Sequence, residues 1–198
     1  ALQKLHIKET DVSDLRPIKG MPLKILGFGG TEVRDIRPLK GMPLKKLYLN
    51  NTAVHDISAL EGMPLERLSL SGTSVKDLSP LKGAPLKWLH IVDGPFTDLT
   101  PLQGMPIEDL SIFATPVADI TPLKNMPLKA LNILRTKVED ISPLQGMELE
   151  RIGVSPDVKN IDVLRDMESL RVIGGTLGEW HGHQSAAEFW RKYDSGEY

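Results

Sequence analysis

An aspartate recurs every 21 residues along most of this chain, at Asp14, Asp35, Asp56, Asp77, Asp98, Asp119 and Asp140. Paired carboxylates serve glycoside hydrolysis and hard-cation binding, so this column is the first candidate for chemistry. Its regularity argues against both. A catalytic pair needs two carboxyl groups in different environments, whereas these share one and suit the acceptance of backbone N–H bonds at a turn. A threonine column (Thr10, Thr31, Thr52, Thr73, Thr115, Thr136) reads as a loop hydrogen-bond ladder, broken at Gly94 and Asp157. His181-Gly182-His183 has metal-like spacing without an evident third ligand; a linker or cap role fits it better. Gly27-Phe28-Gly29-Gly30 lacks the Lys and the Ser or Thr of a phosphate loop. With no cysteine, disulfides, thiolate zinc sites and thiol nucleophiles are excluded. The expectation is a non-enzyme without a cofactor.

The elements that carry these columns are set by an internal repeat. Gly20-Met21-Pro22-Leu23 returns as Gly41-Met42-Pro43-Leu44 and Gly62-Met63-Pro64-Leu65, then with small changes at Gly83, Gly104, Asn125 and Gly146. All seven methionines fall at this one repeat position, which marks a stack of core side chains. Within a unit, Leu44, Leu47, Leu49, Val54, Ile57 and Leu60 are the apolar positions. The alternation Leu47-Tyr48-Leu49 has the period of a strand with one buried face. Ser79-Pro80, Thr100-Pro101, Thr121-Pro122 and Ser142-Pro143 predict an N-cap followed by the first residue of a short 3₁₀ turn. Glycine at the next corner supplies the left-handed backbone that stops it. This is the leucine-rich repeat pattern, and one coil of it cannot bury its own apolar face. Stacking of about eight repeats over residues 1–175 is therefore required, as an α/β solenoid with a parallel sheet on its concave side.

Beyond Gly174-Gly175 the pattern ends, and residues 176–198 are expected to form a cap. Ser185-Ala186-Ala187-Glu188 is a capping box, and Ala186, Phe189, Trp190 and Tyr193 share one helical face that would close the open end of the solenoid. Ala1-Leu2-Gln3-Lys4 has no secretion signal, and the repeat phase at Leu2 reads as the tail of something longer. A net charge of −2 gives no global positive field to gather phosphates, so no nucleic-acid partner is expected, and no apolar run is long enough for membrane insertion.

If the leucines of each strand point inward, the residues before, between and after them form three solvent-facing columns. Gly, Ser and Ala are accepted at many of these positions, so the fold does not demand bulk there. Tyr48, Trp88, His90, Val92, Phe113 and Leu134 then form an aromatic and apolar strip, flanked by Lys46, Arg67, Asp109 and Arg151. Aromatic anchors beside arginine are the composition of an interface hot spot. The same residues also fit a plainer role, cross-strand packing on an exposed sheet face.

The repeats resemble those of the internalins, whose Asp-Ile-Ser-Pro-Leu descent is matched by Asp140-Ile141-Ser142-Pro143-Leu144, with Thr where Asn is usual. Pro38 to Leu44, together with the ending Ala187 to Asp194, is similar to C-terminal repeat regions of large bacterial proteins, some with a Ser/Thr kinase domain upstream. The resemblance implies binding or sensing. The leading expectation is a protein or peptide recognition module, a sensory or scaffolding part of a bacterial signalling protein whose partner presents an acidic surface. The alternatives are a glycan-binding domain and a purely structural spacer.

Overall fold

The computed structural model describes residues 2–174 and 183–198. Nine three-residue strands run parallel and in register: β1 (Lys4–His6), β2 (Ile25–Gly27), β3 (Lys46–Tyr48), β4 (Arg67–Ser69), β5 (Trp88–His90), β6 (Asp109–Ser111), β7 (Ala130–Asn132), β8 (Arg151–Gly153) and β9 (Val172–Gly174). A tenth, β10 (His183–Ser185), pairs antiparallel with β9. The sheet thus exceeds the eight repeats expected from the sequence. Val172-Ile173-Gly174 keeps the strand register, with Ile173 inward, after the turn pattern has drifted. Ladder bonds continue past the strand ends, as in Phe28 N–H to Tyr48 O at 2.9 Å and Leu49 N–H to Ser69 O at 3.1 Å.

Every coil contributes to one continuous interior. Leu26, Leu47, Leu68, Leu89, Leu110 and Leu131 of the strands are fully buried, as are Leu23, Leu44, Leu65 and Leu86 just before them. The methionines from Met42 onward are buried in the same core, and Met21 of the first turn packs against it half-buried.

The return path is set by local hydrogen bonding. Most strands lead to a corner where a threonine hydroxyl donates to the carbonyl three residues back, as in Thr52 to Leu49 O at 2.8 Å and Thr115 to Ile112 O at 2.7 Å. These bonds stay within one coil, so the loop hydrogen bonds of the threonine column recur as separate corner locks, one per coil that carries the threonine. The 3₁₀ turns then span Arg16–Ile18, Arg37–Leu39, Ser58–Leu60, Ser79–Leu81, Thr100–Leu102, Thr121–Leu123, Ser142–Leu144 and Ile161–Leu164. The Ser or Thr before each proline is the first residue of its turn, and no side-chain cap bond comes from the apolar residue before it. The capping acceptor is the aspartate two residues earlier. Asp77 Oδ1 accepts from Ser79 N–H at 2.8 Å, and Asp98, Asp119 and Asp140 do the same one coil on. Glycine then ends the turn at positive φ, for example Gly62 at 70°.

At the C-terminal end, helix α1 (Ala186–Ser195) begins with Ser185 Oγ accepting from Glu188 N–H at 3.1 Å. Phe189 is fully buried in the solenoid core, with Ala186, Trp190 and Tyr193 packed beside it. The helix contacts β9 and β10, so it covers the last coil. Arg165 sits over Trp190 at 3.9 Å and pairs with Asp194 at 2.5 Å, which ties the helix to the turn before β9.

One irregular coil explains itself. Phe96 stands where Val54, Val75 and Val117 stand in neighbouring coils, and it is buried to 1% exposure. A Cβ at Gly94 would lie 2.9 Å from the Phe96 ring and 3.2 Å from Ile91 Cγ2, so glycine replaces the column threonine to admit the larger ring. Gly94→Thr is expected to destabilise the chain by about 1–3 kcal/mol through overpacking. Adding Phe96→Val should recover most of that loss, measured as urea-unfolding midpoints; no recovery in the double variant would refute the pairing.

Candidate functional site

The inward leucines leave alternate strand residues on the concave face, and their sizes shape it. Along the central column Tyr48, Ser69, His90 and Ser111 are adjacent in register, so two aromatic side chains alternate with two hydroxymethyl groups. Ser69 and Ser111 are each 3% exposed, overhung by their neighbours. The result is a groove of about 610 Å³ toward the C-terminal ends of the strands. Trp88, His90, Val92 and Phe113 line it together with the serine floor, and Asn50, Asn51 and Asp93 edge it.

The aromatic residues are ordered by one another. The Trp88 and His90 rings stack at 3.7 Å between centroids, and Tyr48 meets Trp88 edge-on at 6.3 Å. His90 Nε2 lies 3.0 Å from Asp109 Oδ1, and Arg151 reaches the other oxygen of that carboxylate at 3.2 Å. Phe113 is nearly buried, yet it lies outside the continuous core, lines the groove and has the Arg135 guanidinium over its ring at 5.3 Å.

Of the residues singled out from sequence, Trp88, His90, Val92 and Phe113 therefore meet at one groove, and Tyr48 adjoins it. Lys46 and Arg67 occupy the first column to one side. Asp109 and Arg151 are engaged with each other, so the charge of Arg151 is not part of the basic flank. Leu134 sits half-buried one strand beyond Phe113, outside the groove lining.

Sequence reasoning missed the loop residues Asn51 and Gly72, which rim the groove beside Asp93. Asn51 (φ 53°), Gly72 (φ 68°) and Asp93 (φ 55°) all hold left-handed backbone. The recurrence of Asn, Gly and Asp at this position, the residues most tolerant of that conformation, was the available signal. Asn50 Oδ1 is buried at the same edge, and no described group donates to it.

Among the described residues no group of three or more His, Asp or Glu is placed to hold a metal ion, and no helix is long and apolar enough to cross a membrane. His181 and its spacing to His183 lie outside the described residues. The aspartates act on backbone. The side chain and N–H of Arg37 hold the Asp35 carboxyl at about 2, and the turn N–H groups of Ser58 and Ser79 lower Asp56 and Asp77 in the same way.

A parallel sheet of repeated coils, a 3₁₀ return and an aspartate-capped turn define the class: the chain is a leucine-rich-repeat solenoid with internalin-like 21-residue repeats. Two solved structures from Listeria monocytogenes are similar to it. One is an internalin C2, 28% identical, covering 74% of this chain and 67% of that one with a TM-score of 0.70. The other is an internalin (inlF), 22% identical, covering 87% of this chain and 60% of that one with a TM-score of 0.72. No protein-family profile and no curated protein sequence matches the chain.

The aspartate column carries a pH prediction. Each carboxyl is lower in the folded state than the usual ~3.9, so the stabilisation is present above that value and disappears as pH falls toward the folded values. The unfolding midpoint should drop between about pH 4 and pH 2, the value for Asp35 setting the lower limit. Replacing Asp56, Asp77 and Asp98 together by Ala should lower the midpoint at neutral pH and flatten the acid slope in thermal melts. An unchanged slope would show that the column does not couple folding to protons.

Proposed function

We propose that this chain is a non-catalytic recognition module that binds a protein or peptide segment across its concave face. The observation that carries the reading is the groove itself, with Trp88, His90, Val92 and Phe113 standing over Ser69 and Ser111. Rigid aromatic side chains around a recess concentrate binding energy, because they bury large area at little cost in side-chain order. The solenoid supports the same reading, since an extended concave sheet is the surface that stacked repeats use for binding. Exposed Arg67 and half-buried Lys46 favour a partner with an acidic surface and an affinity that weakens as salt rises. A sensory or scaffolding place in a larger bacterial signalling protein extends this proposal.

One observation favours a peptide over a glycan. A sugar ring stacks on an open aromatic face, and His90 already covers one face of Trp88 at 3.7 Å.

Selection of a displayed peptide library on the immobilised chain, run beside a glycan array, tests the reading. Selected peptides should bind Trp88→Ala more weakly by about 2 kcal/mol or more, by fluorescence anisotropy, with the melting temperature little changed. Ser111→Tyr, which fills the floor with a side chain the column already accepts at Tyr48, should also abolish binding. Glycan binding without peptide binding, or peptides indifferent to both substitutions, would overturn it.

A further inference from the structure

Charge is distributed unevenly along this solenoid. The first fifty residues hold ten Lys and Arg against five Asp and Glu, and the remainder holds fourteen against twenty-one. On the concave face the excess is concentrated at one end. Lys4, His6 and Lys8 occupy the three outward positions of β1 and its exit, Lys46 the first position of β3, and Arg67 that of β4.

Between them β2 offers no charge, its outward positions being Ile25 and Gly27. Gly27 lies beneath His6 and Lys8, since a Cβ there would meet His6 Nδ1 at 2.7 Å and Lys8 Cε at 3.4 Å. Lys8 in turn reaches to 6.0 Å from the Tyr48 ring centroid. The patch therefore runs without a break into the aromatic strip.

The acids nearby offset it only in part. Glu66 is paired with Lys45 at 2.6 Å and its charge also acts on Lys46, and Glu9 and Asp11 lie beyond the strand in the exit loop. Among the described residues Lys4, Lys8, Lys46 and Arg67 form no ion pair. At the other end of the face Arg151 is paired with Asp109, and Asp93 rims the groove. The excess of positive charge on this face thus lies on the N-terminal side of the aromatic residues.

Resting on the recognition function proposed above, we propose that the concave face of β1 to β4 binds the acidic segment of an extended peptide whose apolar residues occupy the adjoining groove, with Lys4, Lys8, Lys46 and Arg67 contacting its carboxylates. Dimensions agree: three strand spacings of about 4.8 Å give roughly 14 Å, the length of about four extended residues. A peptide suits the face better than a nucleic acid, because the cations cover only this short stretch and lead into Val92 and Phe113 instead of continuing along a backbone of phosphates. The His6 imidazole reports on the field. Partial burial, then Lys4 and Lys8, hold it below its ordinary value, while the facing positions of β2 are Ile25, Gly27 and Gly29 and carry no charge. A bound carboxylate would raise it.

The test uses the whole chain with a fluorescein-labelled oligoglutamate peptide at low salt, with oligothymidylate and a heparin oligosaccharide as competing probes. Oligoglutamate should bind, the Lys4→Glu/Lys8→Glu variant should weaken it about tenfold, Arg151→Gln should change it less, and the His6 imidazole resonance should titrate at higher pH with peptide bound. These exposed substitutions leave the core untouched, and circular dichroism checks the fold. Equal binding by the Lys4→Glu/Lys8→Glu variant, or preference for either competing probe, would overturn the proposal. Trp88→Ala separates the two claims: it should leave oligoglutamate binding unchanged, because that probe carries no apolar residue, and weaken the library-selected peptides; loss of oligoglutamate binding in Trp88→Ala would overturn a separate acidic subsite, and selected peptides indifferent to Trp88→Ala would remove the aromatic groove while leaving the acidic subsite standing.

Discussion

No coil of this protein has an interior of its own; the interior exists only between coils. Leu47 and Leu49 are sealed by the corresponding residues of the coils on either side, and the backbone ladder holds those coils about 4.8 Å apart. Stability is accordingly a sum of neighbour interfaces more than a property of any one repeat. That constraint explains why apolar positions hardly vary, why Phe96 is matched by a vacated side chain at Gly94, and why the last coil is closed by Phe189 of α1.

The same stacking leaves the outward strand positions nearly free of structural duty, and shape arises there from differences in size. Tyr48, Ser69, His90 and Ser111 stand side by side because the register is strict, so a serine becomes a floor and an aromatic ring becomes a wall. Charge follows the same rule. Among the described residues Lys4 and Lys8 have no partner acid, while Asp109 draws in both His90 and Arg151, which divides the face into a basic end and an apolar, neutralised middle.

Most of the fold was legible in the residues, because period and burial are bound together: 21-residue spacing, apolar alternation, positive-φ glycines and the Ser185 cap all appear where expected. The errors were local. Ser79 and its equivalents looked like helix caps from their place before proline, but the preceding aspartate supplies the acceptor, since its carboxylate reaches the same N–H two residues on. The ninth strand was hidden because the turn before it, at Ile161–Leu164, lacks the proline signature. The site was legible only in part. Column membership identified Trp88, His90, Val92 and Phe113, but not the rim residues Asn51 and Gly72, which reach the groove through a left-handed corner.

By itself, then, the order of residues determined the coil, its repeat, its buried face and the set of side chains left outside, because a short local pattern decides which way each residue points. Only the assembled solenoid decided which outward residues meet, which charges cancel and where a recess opens. Those depend on contacts between residues 21 or 42 positions apart, such as Asp109 with Arg151, and on the relative sizes of side chains that no single coil brings together.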